Sequence, residues 1–328
     1  MKALVIGGTL FIGKRLVKRL LEEGHDVSVF HRQGGHEYGT DVGNLVGDRN
    51  DSESVRRAIG GQEFDWVFDN VYDWERGTTA EQVEGTARAF GDGIQRYVFM
   101  SSCAAYGEGL DLTEDRPLVP DDSPEPYSAQ KAASERALFR MHRDEGFPAV
   151  TLRPPFVYGP DNPFYREAFF WDRMRDDRQI IVPGDGSRLM HLVFVNDLVE
   201  ACLLAASNDA AVGEGFNVGH RRPITQLALV QTLGATAGIE PRTVLLPRED
   251  ILAAGGEVIG ENLYFGIYYD MPSITEDVSK VERVLGLTPT EFETGLADTY
   301  AWYLANHERP EIDYSFEDSL LARGAVGS

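Results

Sequence analysis

Short apolar runs alternate along the first half of the chain with longer stretches in which apolar residues recur at helical spacing. The first run, residues 2–7, ends in Gly7-Gly8. Leu16, Val17, Leu20 and Leu21 then fall on one face within 13–23, and Val27 to Phe30 form the next run after Gly24, so the opening reads as a βαβ unit. The same alternation predicts a helix near 51–60, a strand at Trp66-Val67-Phe68, a helix near 79–91, a strand at Tyr97-Val98-Phe99-Met100, a helix near 127–144 and a strand at Val150-Thr151-Leu152. Strands and helices in strict succession imply an α/β fold with a doubly wound parallel sheet and helices on both faces. Beyond about residue 160 the pattern loosens into an aromatic stretch at 164–171, a strand-like Gln179–Val182, a helix around 196–207 and a terminal helix near 292–306. These later pieces, apart from the helix around 196–207, predict a smaller C-terminal lobe.

The chemistry starts at Gly7-Gly8-Thr9-Leu10-Phe11-Ile12-Gly13, placed between the first strand and the first helix. Glycines there let the backbone approach a pyrophosphate, and a helix N-terminus offers amide donors and a favourable dipole; the plainer alternative is a tight turn. This marks the fold as Rossmann-type, with residues 1–163 plus about 188–220 as a dinucleotide-binding domain and about 164–187 and 221–328 as the substrate lobe. At the end of the second strand, where an acid would take the ribose hydroxyls of NAD, stand His31 and Arg32, a pairing that favours the 2′-phosphate of NADP. Asp48, beside Arg49, is placed to accept from the adenine amino group.

Tyr127-Ser128-Ala129-Gln130-Lys131 follows Ser101-Ser102 by about 25 residues. Four positions apart on a helix, Lys131 shares a face with Tyr127. A phenol with a reference pKa of about 10 needs a neighbouring cation to act as a base near neutrality. Lys131 supplies one, and Ser102 is placed to hydrogen-bond the substrate oxygen while Tyr127 transfers its proton. Asp121, Asp122 and Glu125, just before this helix, read as solvated loop charges.

These segments, with Phe99-Met100-Ser101-Ser102-Cys103-Ala104-Ala105-Tyr106-Gly107 and Leu152-Arg153-Pro154-Pro155-Phe156-Val157-Tyr158-Gly159-Pro160, resemble an extended short-chain dehydrogenase/reductase of the nucleotide-sugar epimerase/dehydratase superfamily over nearly the whole chain. The resemblance implies a Ser102, Tyr127 and Lys131 triad. It implies further cofactor contacts at Asp69, Asn70, Val71, Met100, Pro154 and Pro155, and substrate contacts at Cys103, Phe156, Arg188 and His191. It also implies a homodimer paired through the helices near 79–91 and 127–144. Leu10 replaces the middle glycine of the loop, Asp69-Asn70-Val71 stands in for a His-x-Ala segment, and Phe156 and Phe194 replace an asparagine and a histidine. Those departures are similar to an atypical branch that holds reductases and chloroplast stem-loop RNA-binding proteins. The leading expectation is an NAD(P)-dependent enzyme acting on a hydroxyl or carbonyl of a nucleotide sugar or related polar metabolite. The alternatives are a simple NADPH-dependent carbonyl reductase and a non-catalytic nucleotide- or RNA-binding member of the fold.

Composition narrows the partners. A formal net charge of −22 argues against a nucleic-acid partner, which requires basic patches. No run of about 18 apolar residues is present to span a bilayer, and the first residues lack the form of a signal peptide, so the expectation is a cytoplasmic protein with a small-molecule substrate. Two cysteines, Cys103 and Cys202, are too few for a disulfide framework, and no clustered His/Asp/Glu spacing suggests a metal site. Only five of the 31 basic residues are lysine, a balance that fits a halophile or a high-GC genome. The halophile reading predicts that the melting temperature rises as KCl is taken from dilute buffer to molar concentration, because salt screens like charges; a flat or falling curve excludes it.

Overall fold

The computed structural model describes residues 1–324. Its central sheet has seven parallel strands: β1 (Lys2–Ile6), β2 (Asp26–His31), β3 (Gly43–Val46), β4 (Trp66–Asp69), β5 (Arg96–Met100), β6 (Ala149–Arg153) and β7 (Gly215–Asn217). The spatial order β7-β6-β5-β4-β1-β2-β3 reverses direction at β1 and β4, the switch point above whose carboxyl ends such sheets bind ligands. The helices that cover it are α1 (Phe11–Glu22), α2 (Ser52–Ile59), α3 (Ala80–Arg88), α4 (Pro126–Glu145) and α5 (Val195–Ser207). Each helix and strand predicted up to residue 153 is present, with ends shifted by up to three residues. The sheet also gains β3 and β7, strands too short and irregular to stand out as apolar runs.

The pleat explains the burial. Leu4, Ile6, Val67, Tyr97 and Phe99 meet Val55 and Ile59 of α2, Val83 and Ala87 of α3, and Leu138 and Met141 of α4 in one cluster. Ala3 and Val5, which point the other way, are equally buried, and α1 packs against α5. A sheet covered on both faces needs apolar residues at every position, which is why the strands read as continuous runs. The helix α4 starts on Pro126, with the Glu125 carboxylate accepting from the amides of Tyr127 at 3.3 Å and Ser128 at 2.6 Å, and stops at Gly146 with φ +74°. Glu125, exposed as its reading as a solvated charge expects, also caps the helix. Asp121 likewise pairs with Arg136 of α4.

Two buried ion pairs lock the strand ends. Arg49 donates to both Asp69 oxygens, at 3.2 and 2.5 Å, and Tyr97 donates to the same carboxylate at 2.7 Å. Glu135 of α4 accepts from Arg153 Nη2 at 2.7 Å, Ser101 Oγ at 2.5 Å and Thr151 Oγ1 at 2.8 Å. Arg153 continues to Tyr106 Oη at 2.6 Å, which donates to Asn217 of β7 at 2.8 Å.

By contacts the chain forms two compact units. The first holds Met1–Val157, Leu192–Arg221 and Ile274–Pro289, and so contains the whole sheet. The second holds Tyr158–His191, Arg222–Ser273 and the described residues from Thr290 on. In it Ile180–Pro183 pairs in parallel with Thr243–Leu246, and helices Glu167–Arg175, Gln226–Ala237 and Phe292–Asn306 pack around Trp171, whose Nε1 donates to Leu233 O at 3.1 Å.

Breaking the Glu135 and Arg153 pair on one side strands a buried charge. Arg153→Met should lower unfolding free energy by about 3–5 kcal/mol in urea denaturation at neutral pH, and adding Glu135→Leu should recover part of the loss.

Candidate active site

The glycine turn is built for close approach. Gly7 has φ +83°, and a Cβ on Gly13 would lie 2.0 Å from the Gly7 carbonyl oxygen, so only glycine lets α1 start this near the end of β1. Leu10, itself 70% exposed, is the N-cap residue of α1 and contributes no side-chain cap to the first-turn amides. Phe11 is buried, whereas Thr9 and Ile12 are half-buried. Val71 leans over Gly7, and both polar atoms of the neighbouring Asn70 amide are buried without a hydrogen-bond partner in the chain. Open amides at a helix N-terminus, glycines that admit a ligand and an orphaned buried amide together fit a dinucleotide.

Around the end of β2, His31 Nε2 meets Asn44 Oδ1 at 2.7 Å, and Tyr38 donates to the Gly8 carbonyl at 2.6 Å. Arg32, its side chain 63% exposed, reaches Asp73 at 3.2 Å. Arg76 bridges Asp73 at 2.7 Å and Asp48 at 2.8 Å, giving an alternating row of Arg32, Asp73, Arg76 and Asp48. The side chains of Arg49 and Asp69 are engaged with each other in the buried pair described above.

The strand β5 delivers Met100, Ser101 and Ser102 to the carboxyl edge, where Ser102 Oγ accepts from Ala104 N at 3.2 Å. Ser102 lies near enough to Tyr127 for its hydroxyl to act on the phenol. Lys131, one turn further along α4, is buried and donates from Nζ to Met100 O at 2.6 Å, with Nζ 5.8 Å from the centre of the Tyr127 ring. Burial pulls the Lys131 ammonium down to about 8, against the opposing pull of Asp69. Burial also pushes the Tyr127 phenol well above its usual range, with the Ser102 hydroxyl pulling the other way. Cys103 is buried, its amide donating to Pro154 O at 3.0 Å, and burial raises its thiol as well. Pro155 and Phe156 follow, both half-buried. Ser102, Tyr127, Lys131, Met100, Cys103 and Pro154 are thus brought together.

The remaining residues expected to contact substrate belong to the second unit. Arg188 donates to Asp270 Oδ1 at 3.0 Å and to its carbonyl at 2.6 Å, beside Arg248, which binds the same carboxylate. His191 is fully buried. Of the aromatic stretch, Phe169, Phe170 and Trp171 are core, while Phe164 and Tyr165, with Trp171, line a cavity shared with Glu167, Trp302 and His307. Sequence reading missed Tyr72 and Trp74, which pack on Tyr127, and Gln130, which holds their loop; the aromatic run after β4 was the available signal. Among the described residues no cluster of metal-ligating side chains occurs, and no helix is long and apolar enough to cross a membrane.

Comparison with known proteins gives the family and the fold. The family model for the NAD dependent epimerase/dehydratase family matches residues 3–219. The chain is 28% identical to the chloroplast stem-loop binding protein of 41 kDa b from Arabidopsis thaliana, over 99% of this chain and 85% of that protein. It is also 28% identical to a 2-alkyl-3-oxoalkanoate reductase from Stenotrophomonas maltophilia, over 98% of this chain and 97% of the relative. Among solved structures, UDP-glucose 4-epimerase from Thermotoga maritima, solved with UDP-glucose, superposes with a TM-score of 0.76 at 24% identity, covering 94% of this chain and 100% of that one.

Proposed function

The chain belongs to the NAD-dependent epimerase/dehydratase family, and from that premise we propose that it oxidises or epimerises a hydroxyl-bearing carbon, or reduces a carbonyl, of a nucleotide sugar or related polar metabolite, with Ser102, Tyr127 and Lys131 as the triad. The observation that carries this reading is the buried Lys131 amine, anchored to Met100 O at the end of β5 and 5.8 Å from the centre of the Tyr127 ring, with Ser102 two residues beyond Met100. The first unit is the dinucleotide-binding part, the second the substrate lobe, and the helices α3 and α4 pair two copies in a homodimer. Gly7 to Gly13 and Asn70 would hold the pyrophosphate turn of the cofactor; bound NAD(P) supplies the hydride acceptor or donor. Ser102 orients the substrate oxygen through its hydroxyl. Tyr127 Oη takes the proton from that oxygen in oxidation and returns it in reduction. Lys131, cationic below about pH 8, favours the phenolate that oxidation needs.

A second reading is a carbonyl reductase, supported by the full-length similarity to the oxoalkanoate reductase and by the apolar Phe156 beside the triad. Retention of all three triad residues and a net charge of −22 weigh against an RNA-binding role without turnover.

Tyr127→Phe should keep the fold and the cofactor affinity while lowering turnover by about 10² or more. Burial raises the phenol, and a neighbouring cation favours a phenolate, so on the proposed mechanism Lys131→Ala should move the apparent pKa for oxidation upward by about one unit or more. Steady-state rates across pH 6–10 measure both effects; an active Tyr127→Phe enzyme with an unchanged profile excludes the triad.

The cofactor preference is tested at Arg32, which should bind the 2′-phosphate of NADP in place of Asp73. NADP(H) then binds more tightly than NAD(H). Arg32→Ala weakens NADP(H) by about 1–3 kcal/mol and leaves NAD(H) nearly unchanged in titrations at one fixed salt concentration. Equal affinities in the wild type would mean that Arg32 serves only the ion pair with Asp73.

A further inference from the structure

The segment Val71-Tyr72-Asp73-Trp74 follows β4 and ends against the reactive tyrosine. The Trp74 and Tyr127 rings stack at 4.9 Å and 21°. Tyr72 stands edge-on to Tyr127, at 4.7 Å and 89°, and to Trp74, at 5.0 Å and 70°. Offset stacks and edge contacts of this kind define ring positions, since the quadrupoles favour those arrangements over others.

The loop is held firmly. Tyr72 Oη donates to Gln130 Oε1 at 2.8 Å, and Thr78 N donates to the same oxygen at 2.9 Å, which ties the loop to α4 between Tyr127 and Lys131. The Asp73 carboxylate accepts from the amides of Glu75 at 3.1 Å and Arg76 at 3.0 Å, and Asn50 Nδ2 donates to Gly77 O at 2.7 Å. Gly77 has φ +75°, and a Cβ there would meet the Gln130 amide at 2.7 Å, so this closure needs glycine.

On this firm support Trp74 nevertheless keeps 59% of its surface exposed. Single exposed apolar side chains are ordinary on a protein surface, but this one is fixed by its stack on the Tyr127 ring at the proposed reacting site. Resting on the proposed nucleotide-sugar reading, we infer that Trp74 is the platform for the hexose ring of the substrate. A pyranose has a face of C–H bonds and a rim of hydroxyls. It suits a flat indole set beside hydroxyl groups able to take its rim, and that combination is present in Trp74, Ser102 and Tyr127. An unbranched alkyl chain has no flat face to match the indole and no rim for the hydroxyls.

The test is calorimetric titration of the NAD(P)-loaded protein with UDP-glucose, dTDP-glucose, UDP and dTDP, in the wild type, W74F and W74L. The platform predicts that W74L, apolar but not flat, weakens both sugar nucleotides about tenfold and leaves UDP and dTDP unchanged, while W74F stays within about threefold of the wild type. An equal loss for UDP and UDP-glucose, or sugar-nucleotide binding indifferent to both substitutions, overturns the platform and leaves the substrate reading standing. A wild-type holoenzyme that binds no sugar nucleotide overturns the substrate reading and the platform together.

Discussion

The buried pair of Glu135 and Arg153 is the contact on which the geometry of the site depends. Glu135 sits one turn beyond Lys131 on α4, and its carboxylate gathers Ser101 from the end of β5 and Thr151 and Arg153 from β6. The helix that carries Tyr127 and Lys131 is thereby held to the strand that carries Ser102 by groups with no freedom to slide. Through Tyr106 and Asn217 the same network reaches β7. Buried ion pairs add little net stability against apolar replacements, and here the pair ties α4 to β6 and to the end of β5, the register that the proposed proton transfer between Tyr127 and a substrate oxygen requires.

Much of this was legible in the sequence because it follows from local rules. Continuous apolar strands, amphipathic helices and a glycine turn between the first strand and the first helix dictate a doubly wound sheet with its switch point at β1. The spacing of Tyr127 and Lys131 on one helical face needs no tertiary information. The capping role of Glu125 was missed for lack of one local inference: an acid directly before a proline at the first helical position can cap the helix. What could not be read were the pairings that join distant segments. Nothing around Arg49 or Asp69 announces that each is the other's partner, so residues taken as cofactor contacts turn out to have their charges engaged. The same holds for Arg188, whose guanidinium is bound to Asp270.

The row of Arg32, Asp73, Arg76 and Asp48 shows how such pairings shape recognition. An arginine at the end of β2 is by itself an open phosphate site. Here Asp73, held by backbone amides and by Arg76, stands within 3.2 Å of it. A 2′-phosphate arriving at Arg32 would exchange one anion for another instead of meeting a lone cation. Selectivity then depends on the difference between two ion pairs, one of them part-exposed and weakened by salt.

The same competition between burial and charge governs the proposed reacting pair. Burial disfavours the ammonium of Lys131 and the phenolate of Tyr127 alike, bringing the first down to about 8 and pushing the second up. Near neutrality the chain alone therefore holds a cation that is close to losing its proton beside a phenol that keeps its own. Trp74 and Tyr72 add to this by replacing water around the phenol with ring faces and edges. A site in this state is already set to give a proton, the need of reduction. To accept one it needs further positive charge near the phenol, and Lys131 cannot supply more because its amine is anchored to the Met100 carbonyl. On the proposed mechanism, the direction of proton transfer is thus set by what binds beside Tyr127, while the fold supplies the fixed distances.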